Sequence, residues 1–292
     1  MTKARATASR RADLSRTVRR SPPLRGATRH SQARPALQAP VPSPPRPSLR
    51  PPPRAAAEDS VVLYGWHPVS EALANERRGL RRLLASENAA LRLQETFGER
   101  LRLAPEIVRP PEIGRLLGAD AVHQGLYLEA DPLPAPALDA MPPDALLLAL
   151  DQITDPHNVG AIVRTAAAFG VTGIVTTVRH APGATGVLAK AASGGLEHVP
   201  FINVRNLAEA LITLGERGFM RIGLDSDAEV ELGAFEPKRP LVIVLGAEGK
   251  GLRERTRSCC DVLAKIPFSG AIRSLNVSNA AAITLYALGR GT

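Results

Sequence analysis

Aromatic side chains are scarce: six Phe, three Tyr and one Trp make up 3% of 292 residues. Surfaces that read nucleic acid by stacking bases on rings need several of them, so recognition dominated by stacking is disfavoured. Cysteine is limited to the adjacent pair Cys259-Cys260. That is too few and too close for a disulfide framework or a zinc site, and both read as helix or core residues in a reducing compartment. The six histidines show no metal-ligand spacing, so neither a bound metal nor a metal-dependent reaction is expected. No apolar run is long enough to span a membrane, and the basic start of the chain carries no apolar signal region. A cytoplasmic protein is therefore expected, although the Arg- and Ser-rich, acid-poor start also permits an organelle transit peptide.

The chain does have ample apolar residues and a very uneven distribution of charge. Hydrophobic residues reach 44%, and the length suffices for one sizeable domain plus a small one. A core of Leu, Val, Ala and Ile fits an α/β sheet with helices on both faces. Residues 1–57 hold thirteen of the 37 Lys and Arg but one of the 28 Asp and Glu, a local +12 that leaves −3 for the remainder. This tail is rich in Pro, Ser and Ala and has too little large apolar surface to offset its ordering entropy, which predicts disorder. A basic disordered arm raises salt-sensitive affinity for nucleic acid. A compositional by-product of a GC-rich genome reads equally well.

Beyond the tail, strands are expected at 61–65, 80–85 and 125–129 and helices at 68–76 and 88–97, the units of a small α/β domain over residues 60–130. Residues 131–144, with prolines at 132, 134, 136, 142 and 143, read as a linker. The rest, 145–292, alternates strands at 146–150, 173–178, 220–225, 241–246 and 262–266 with helices at 158–169, 186–192, 206–217, 252–259 and 277–289. Such alternation implies a mostly parallel sheet whose ligands bind beyond the carboxyl ends of its strands.

Three segments lie at such ends. The first, 151–166, reads Asp-Gln-Ile-Thr-Asp-Pro-His-Asn-Val-Gly-Ala-Ile-Val-Arg-Thr-Ala and follows the apolar run 146–150. Asp155-Pro156 marks a turn, Asn158 reads as the helix N-cap, and Val159, Ile162, Val163 and Ala166 form a buried face that leaves Arg164 pointing away. Taken alone, Asn158 is as well a plain cap and Arg164 a solvated residue; His157 reads as a turn residue. The second, Leu-Val-Ile-Val-Leu-Gly-Ala-Glu-Gly-Lys-Gly-Leu over 241–252, runs a buried strand into a glycine-rich turn holding Glu248. It is neither a P-loop, since Gly251 stands where Ser or Thr would follow the lysine, nor a dinucleotide fingerprint. The third places Ile266-Pro267-Phe268 and a polar loop before Ser274-Leu275-Asn276 and an Ala-rich helix with an apolar stripe of Val277, Ala281, Thr284, Leu285 and Leu288.

In this order and at these separations the three segments resemble the signatures of the SpoU/TrmH family of RNA ribose 2′-O-methyltransferases, within the SPOUT superfamily. The resemblance covers roughly residues 60–290. Tyr64-Gly65-Trp66-His67-Pro68-Val69, Asp120-Ala121-Val122-His123-Gln124-Gly125 and Lys190-Ala191-Ala192-Ser193-Gly194-Gly195-Leu196-Glu197 resemble its ribosomal-RNA guanosine branch. The resemblance implies a C-terminal trefoil-knotted methyltransferase domain, with the segment after Ile266 threaded through a loop. General chain-threading rules would argue against such a knot. It also implies a small ribosomal-protein-like N-terminal domain that grips RNA, and a homodimer for which the stripe of helix 277–289 is a candidate contact.

The cofactor implied is S-adenosyl-L-methionine, held largely by backbone groups at Gly246, Ile266 and Leu275 with Ala247 and Gly251 beside them. Arg164 matches the family's catalytic arginine. A guanidinium pKa above about 12 makes stabilising a developing alkoxide or clamping a phosphate a lighter task than acting as a base near neutral pH. Asn158 would orient the ribose or Arg164, Glu248 would fix a basic partner, and Ser274 and Asn276 would bind substrate or hold the knot loop, unless they simply cap the last helix. The expected activity is 2′-O-methylation of a guanosine in large-subunit ribosomal RNA. The alternatives are a transfer-RNA ribose methyltransferase and an RNA-binding assembly factor whose site has decayed. In the N-terminal domain Arg77, Arg78, Arg81 and Arg82 are the densest basic cluster and the expected RNA patch.

Deletion of residues 1–57 is expected to leave the thermal midpoint unchanged and to flatten the slope of log RNA affinity against log salt. A large fall in the midpoint would make the tail structural, and an unchanged slope would show that its charge never meets RNA.

Overall fold

Six-residue strands buried on both faces form the centre of the larger sheet. The computed structural model describes residues 60–118, 120–179, 186–234, 236–272 and 274–288; the basic tail and the disorder expected of it lie outside them. Strand β5 (Leu146–Asp151) lies parallel to β10 (Leu241–Gly246), residue for residue from Leu146–Leu241 to Asp151–Gly246. Around this pair stand β6 (Gly173–Thr177), β7 (Phe201–Val204), β8 (Met220–Leu224), β9 (Val230–Glu231) and β11 (Val262–Lys265), in the order β7-β6-β5-β10-β8-β11-β9, every pairing parallel.

The period of two along β5 divides the core. Leu146, Leu148 and Leu150 face Val159, Ile162, Val163 and Ala166 of α4 (Pro156–Ala168) and Ala281 and Leu285 of α8 (Val277–Leu288). Leu147 and Ala149 face Leu207, Leu211 and Leu214 of α6 (Leu207–Glu216), beside which lies the short α7 (Glu254–Arg257). Burial on both faces is what turns these strands into continuous apolar runs rather than alternating ones. On the first face α4 also packs on α5 (Gly186–Ala192). A Cβ on Gly160 would lie 2.4 Å from the Ala191 Cβ and 2.8 Å from the Leu188 carbonyl oxygen, so only glycine allows this approach.

The smaller sheet, β1-β4-β2-β3, is built from β1 (Val61–Tyr64), β2 (Leu80–Ala85), β3 (Glu106–Ile107) and β4 (Leu126–Ala130). Strand β4 runs antiparallel to both β1 and β2. Helices α1 (Trp66–Ala74), α2 (Glu87–Phe97) and α3 (Pro110–Leu117) accompany it. Between the sheets, the Pro-rich segment is tied down: the Arg217 guanidinium donates to the Leu138 and Met141 carbonyls, each at 2.7 Å.

Several expectations change. The N-cap of α4 is Asp155, whose carboxylate accepts from the His157 N–H at 3.1 Å, with Pro156 as the first helical residue. Asn158 therefore sits inside the first turn, free of capping duty. The arginine cluster is no open patch: Arg78 is buried against Glu197, Arg81 pairs with Asp131 at 2.5 Å and Arg82 with Glu106 at 3.0 Å. Of the four, only Arg77 has no acidic partner among the described residues. The stripe of α8 is likewise spent within the chain, with Val277, Ala281, Thr284 and Leu285 buried and Leu288 partly so, and the large apolar residues this helix exposes are Ile283 and Tyr286. Strands β3, β7 and β9 and helix α3 add to the elements the sequence pattern predicts.

Candidate active site at the carboxyl edge of the larger sheet

Strand β5 ends in Asp151, a carboxylate with no solvent exposure. It accepts from the Arg253 backbone N–H at 3.0 Å and from Arg253 Nε at 2.7 Å. Satisfying a buried carboxylate with backbone and guanidinium donors offsets its desolvation, and it ties the chain just past β10 to the end of β5. Between lies the glycine-rich turn, closed by a bridge between Ala247 and Gly251 and by the Gly251 N–H donating to the Ala247 carbonyl at 2.8 Å. Gly249 and Gly251 have φ of 74° and 65°, a region open chiefly to glycine. At Gly246 a Cβ would lie 2.2 Å from the Gly251 carbonyl carbon. The closed turn therefore excludes any side chain there.

This turn presents Glu248 to the start of α8. Its Oε1 accepts from the Val277 backbone N–H at 3.2 Å and from Asn158 Nδ2 at 3.1 Å. Asn276 completes the connection: its Nδ2 donates to Asn158 Oδ1 at 2.8 Å while its Oδ1 accepts from the Ser278 N–H at 2.9 Å. Asn276 therefore caps α8 and joins the cluster at once. A carboxylate at a helix N-terminus is favoured by the unsatisfied N–H groups there. No Lys or Arg among the described residues pairs with Glu248, so the expected basic partner is replaced by an amide and a helix terminus.

Beside this cluster lies a cleft of about 290 Å³. Gly246, Ala247, Glu248, Gly251, Ile266, Ser274 and Leu275 all line it, so it gathers every residue expected to hold cofactor together with two expected at the reaction. Asn158 and Asn276 do not line it: Asn158 is joined to it through Glu248, and Asn276 through Asn158. Arg164 does not line it. That side chain is exposed on α4 and has no ion-pair partner among the described residues. Its backbone is crowded instead: a Cβ on Gly195 would lie 3.3 Å from the Arg164 Cα.

The cleft is also lined by polar residues that no sequence motif marks, among them Asp225 and Ser226, which follow β8, and Lys265 at the end of β11. For the first two a signal is present in the strand expected at 220–225, whose carboxyl end is polar. Asp225 accepts from the Asp227 N–H at 2.9 Å and pairs with Arg257 at 3.2 Å. Cys260 offers no nucleophile: burial, and then its neighbour Cys259, pushes its thiol up to about 12.

The SpoU rRNA Methylase family matches residues 145–286, and a second family, RNA 2′-O ribose methyltransferase substrate binding, matches residues 62–136. A 23S rRNA (guanosine-2′-O-)-methyltransferase of Ralstonia nicotianae is 36% identical over 234 residues, which is 78% of this chain and 94% of that protein. An uncharacterized tRNA/rRNA methyltransferase of Mycobacterium avium is 34% identical over 297 residues, 94% of this chain and 96% of its own. Among solved structures, the SpoU methyltransferase AviRb from Streptomyces viridochromogenes in complex with AdoMet aligns with a TM-score of 0.68 at 25% identity, over 80% of this chain and 90% of that one.

Because a side chain at position 246 collides with backbone rather than with a flexible neighbour, Gly246→Ala is expected to open the turn and weaken S-adenosylmethionine binding at least about tenfold, the loss expected when a preorganised cradle is disturbed. Calorimetric titration with the cofactor checks this, and undiminished affinity would place the binding site elsewhere.

Proposed function

This chain belongs to the SpoU rRNA methylase family of S-adenosylmethionine-dependent RNA ribose 2′-O-methyltransferases, and from that premise we propose that it methylates a guanosine ribose of 23S ribosomal RNA. The observation that carries the choice of RNA is the two-part match. The chain resembles the 23S rRNA guanosine methyltransferase of Ralstonia nicotianae over 94% of that protein, substrate-binding domain included. Transfer RNA is the second reading, kept by the Mycobacterium avium relative, whose name spans both RNAs. A decayed assembly factor is disfavoured, because Asn158, Glu248 and Asn276 are present and hydrogen-bonded to one another.

The cleft suits the cofactor. Leu245, Ile266 and Leu275 offer apolar walls to an adenine, Asp225 a carboxylate for a ribose diol, and Gly246, Gly249 and Gly251 line the cleft with bare backbone. Its size is at the lower end for a small-molecule site and suits a nucleoside. When bound, S-adenosylmethionine supplies an electrophilic methyl group. The chain's task is then to hold the ribose hydroxyl in line and to stabilise the oxyanion as its proton leaves.

Arg164 stands six residues along α4 from Asn158, less than two turns and about 9 Å on the helix axis, and its guanidinium is unclaimed by any acidic side chain among the described residues. At that offset it serves the RNA, clamping a phosphate or the nascent alkoxide, rather than the cofactor. Asn158, held at both ends of its amide by Glu248 and Asn276, orients the ribose from a fixed position; Ser274 lines the cleft.

The trefoil knot belongs to the same proposal. Its support is the strand order, in which the chain leaves β11 beyond β8 and returns past β10 to lay α8 on α4. We also propose a homodimer that brings a second copy to the exposed Arg164 side, with Ile283 and Tyr286 as contact residues. No helix among the described residues is long and apolar enough to cross a membrane, and the cytoplasm is the compartment that suits a ribosomal-RNA substrate.

Arg164→Ala is expected to bind S-adenosylmethionine with unchanged affinity while turnover on large-subunit ribosomal RNA falls about a hundredfold or more, as when an oxyanion donor is removed. Parallel loss of both would make the arginine structural. Light scattering at micromolar concentration should give twice the chain mass, and a monomer with full activity would refute the dimer.

A further inference from the structure

Among the described residues only one ion pair is buried on both sides, and it joins the two domains. Arg78, between α1 and β2, meets Glu197, just after α5, with side chains 4% and 2% exposed. Arg78 Nε donates to Glu197 Oε2 at 3.1 Å and Nη2 to Oε1, while Nη1 donates to the Asp131 carbonyl at 2.7 Å. Asn75 Nδ2 adds a bond to Glu197 Oε2 at 2.7 Å, and Arg102 clamps the Asn75 and Arg78 carbonyls from outside. Both charges are thus fully engaged. A buried pair of this kind gains little stability over an apolar pair of the same volume but accepts one geometry only.

The neighbouring backbone reinforces that geometry. A Cβ on Gly194 would meet Glu71 Cγ of α1 at 2.4 Å, and a Cβ on Gly195 would meet the Val163 carbonyl oxygen at 3.0 Å and the Arg164 Cα at 3.3 Å. Two successive glycines are therefore all that separates the first helix of the substrate-binding domain from the helix that carries Arg164. Lys190 and Trp66 share Gln124 as a hydrogen-bond acceptor at 3.0 and 2.9 Å, a second tie across the same joint.

We propose that Arg78 and Glu197 are positioning residues that hold the substrate-binding domain at one fixed offset from Arg164, so that RNA gripped by that domain presents a single nucleotide to the methyl-transfer site. The pair works as a ruler rather than as a stabiliser, and this rests on the methyltransferase reading above. Directional bonds specify the offset, and removing them frees the angle between the domains without removing any group that touches RNA or cofactor.

The test compares the full-length chain with Arg78→Met/Glu197→Leu, which leaves no unpaired buried charge, and with Glu197→Gln. In the double variant the thermal midpoint, S-adenosylmethionine affinity and RNA affinity should stay near those of the unaltered chain. Turnover should fall about tenfold to a hundredfold, the scale of an ångström-sized misplacement, and mapping of 2′-O-methyl groups should show modification spreading to adjacent nucleotides. Hydrogen exchange supplies a readout independent of activity. The Glu197 and Val199 amides, which donate to the Gly194 and Gly195 carbonyls at 3.0 Å, should exchange faster in both variants while those of β5 and β10 do not. A folded double variant with single-site methylation and unchanged exchange at the joint overturns the proposal, as does a turnover loss matched by equal losses in midpoint and cofactor affinity. If the unaltered chain methylates no ribosomal RNA, the functional reading fails, and the exchange measurement still decides whether the pair fixes the joint.

Discussion

The position of the Glu248 carboxylate at the start of α8 is the constraint on which the site depends. One oxygen accepts from a helix N-terminus and from the Asn158 amide, so three chain segments separated by tens of residues must end at one point. Asp151 makes this possible from below by tying Arg253 to the end of β5, which closes the glycine turn and aims Glu248. The carboxylates divide the labour: the buried one fixes the backbone, and the exposed one organises side chains beside the cleft. Electrostatics favours both placements, since each negative charge sits where donors are otherwise unsatisfied.

Part of the positive charge on the folded part is used for internal work. Arg78, Arg81, Arg82, Arg221, Arg253 and Arg257 all have acidic partners. In the Arg221–Asp261 pair, hydrogen bonding to the guanidinium holds the Asp261 carboxyl below its ordinary range despite partial burial. Exposed cations with no acidic partner among the described residues remain to meet an RNA backbone, Arg77, Arg100, Arg164, Arg179, Arg205 and Lys250 among them, and they are spread over both domains. A chain whose formal charge outside the tail is −3 therefore relies on placement of single charges rather than on a broad basic field.

The parts of this arrangement that sequence reveals are those governed by local pattern. β5 and β10 are legible because burial on both faces makes six consecutive residues apolar, and the turns after them because Pro, Gly and Asn have few conformations to choose from. Asn158 reads as a cap because Asp155-Pro156 and Asn158 offer two plausible helix starts three residues apart, and only the bond from the His157 N–H to Asp155 selects the first. The arginine cluster misled for another reason. Composition shows charge but not pairing, and Glu197 lies 119 residues from Arg78. Edge strands β7 and β3, of four and two residues, carry too little pattern to stand out, and α3 opens on two prolines that read equally as a turn.

The centre of the larger sheet brings together strands that are far apart along the chain. Leu146 pairs with Leu241, and β6, β7 and β8 are all made in the interval between them. A nascent chain that has only reached β8 therefore has β5 with one edge bare and Asp151 without its guanidinium. The sheet stays incomplete until synthesis has passed β11, and the seat of Glu248 waits further for the Val277 amide at the start of α8. Completion of the core and assembly of the site are thus both late events in the life of each molecule, set by contact between distant stretches of sequence rather than by any local element.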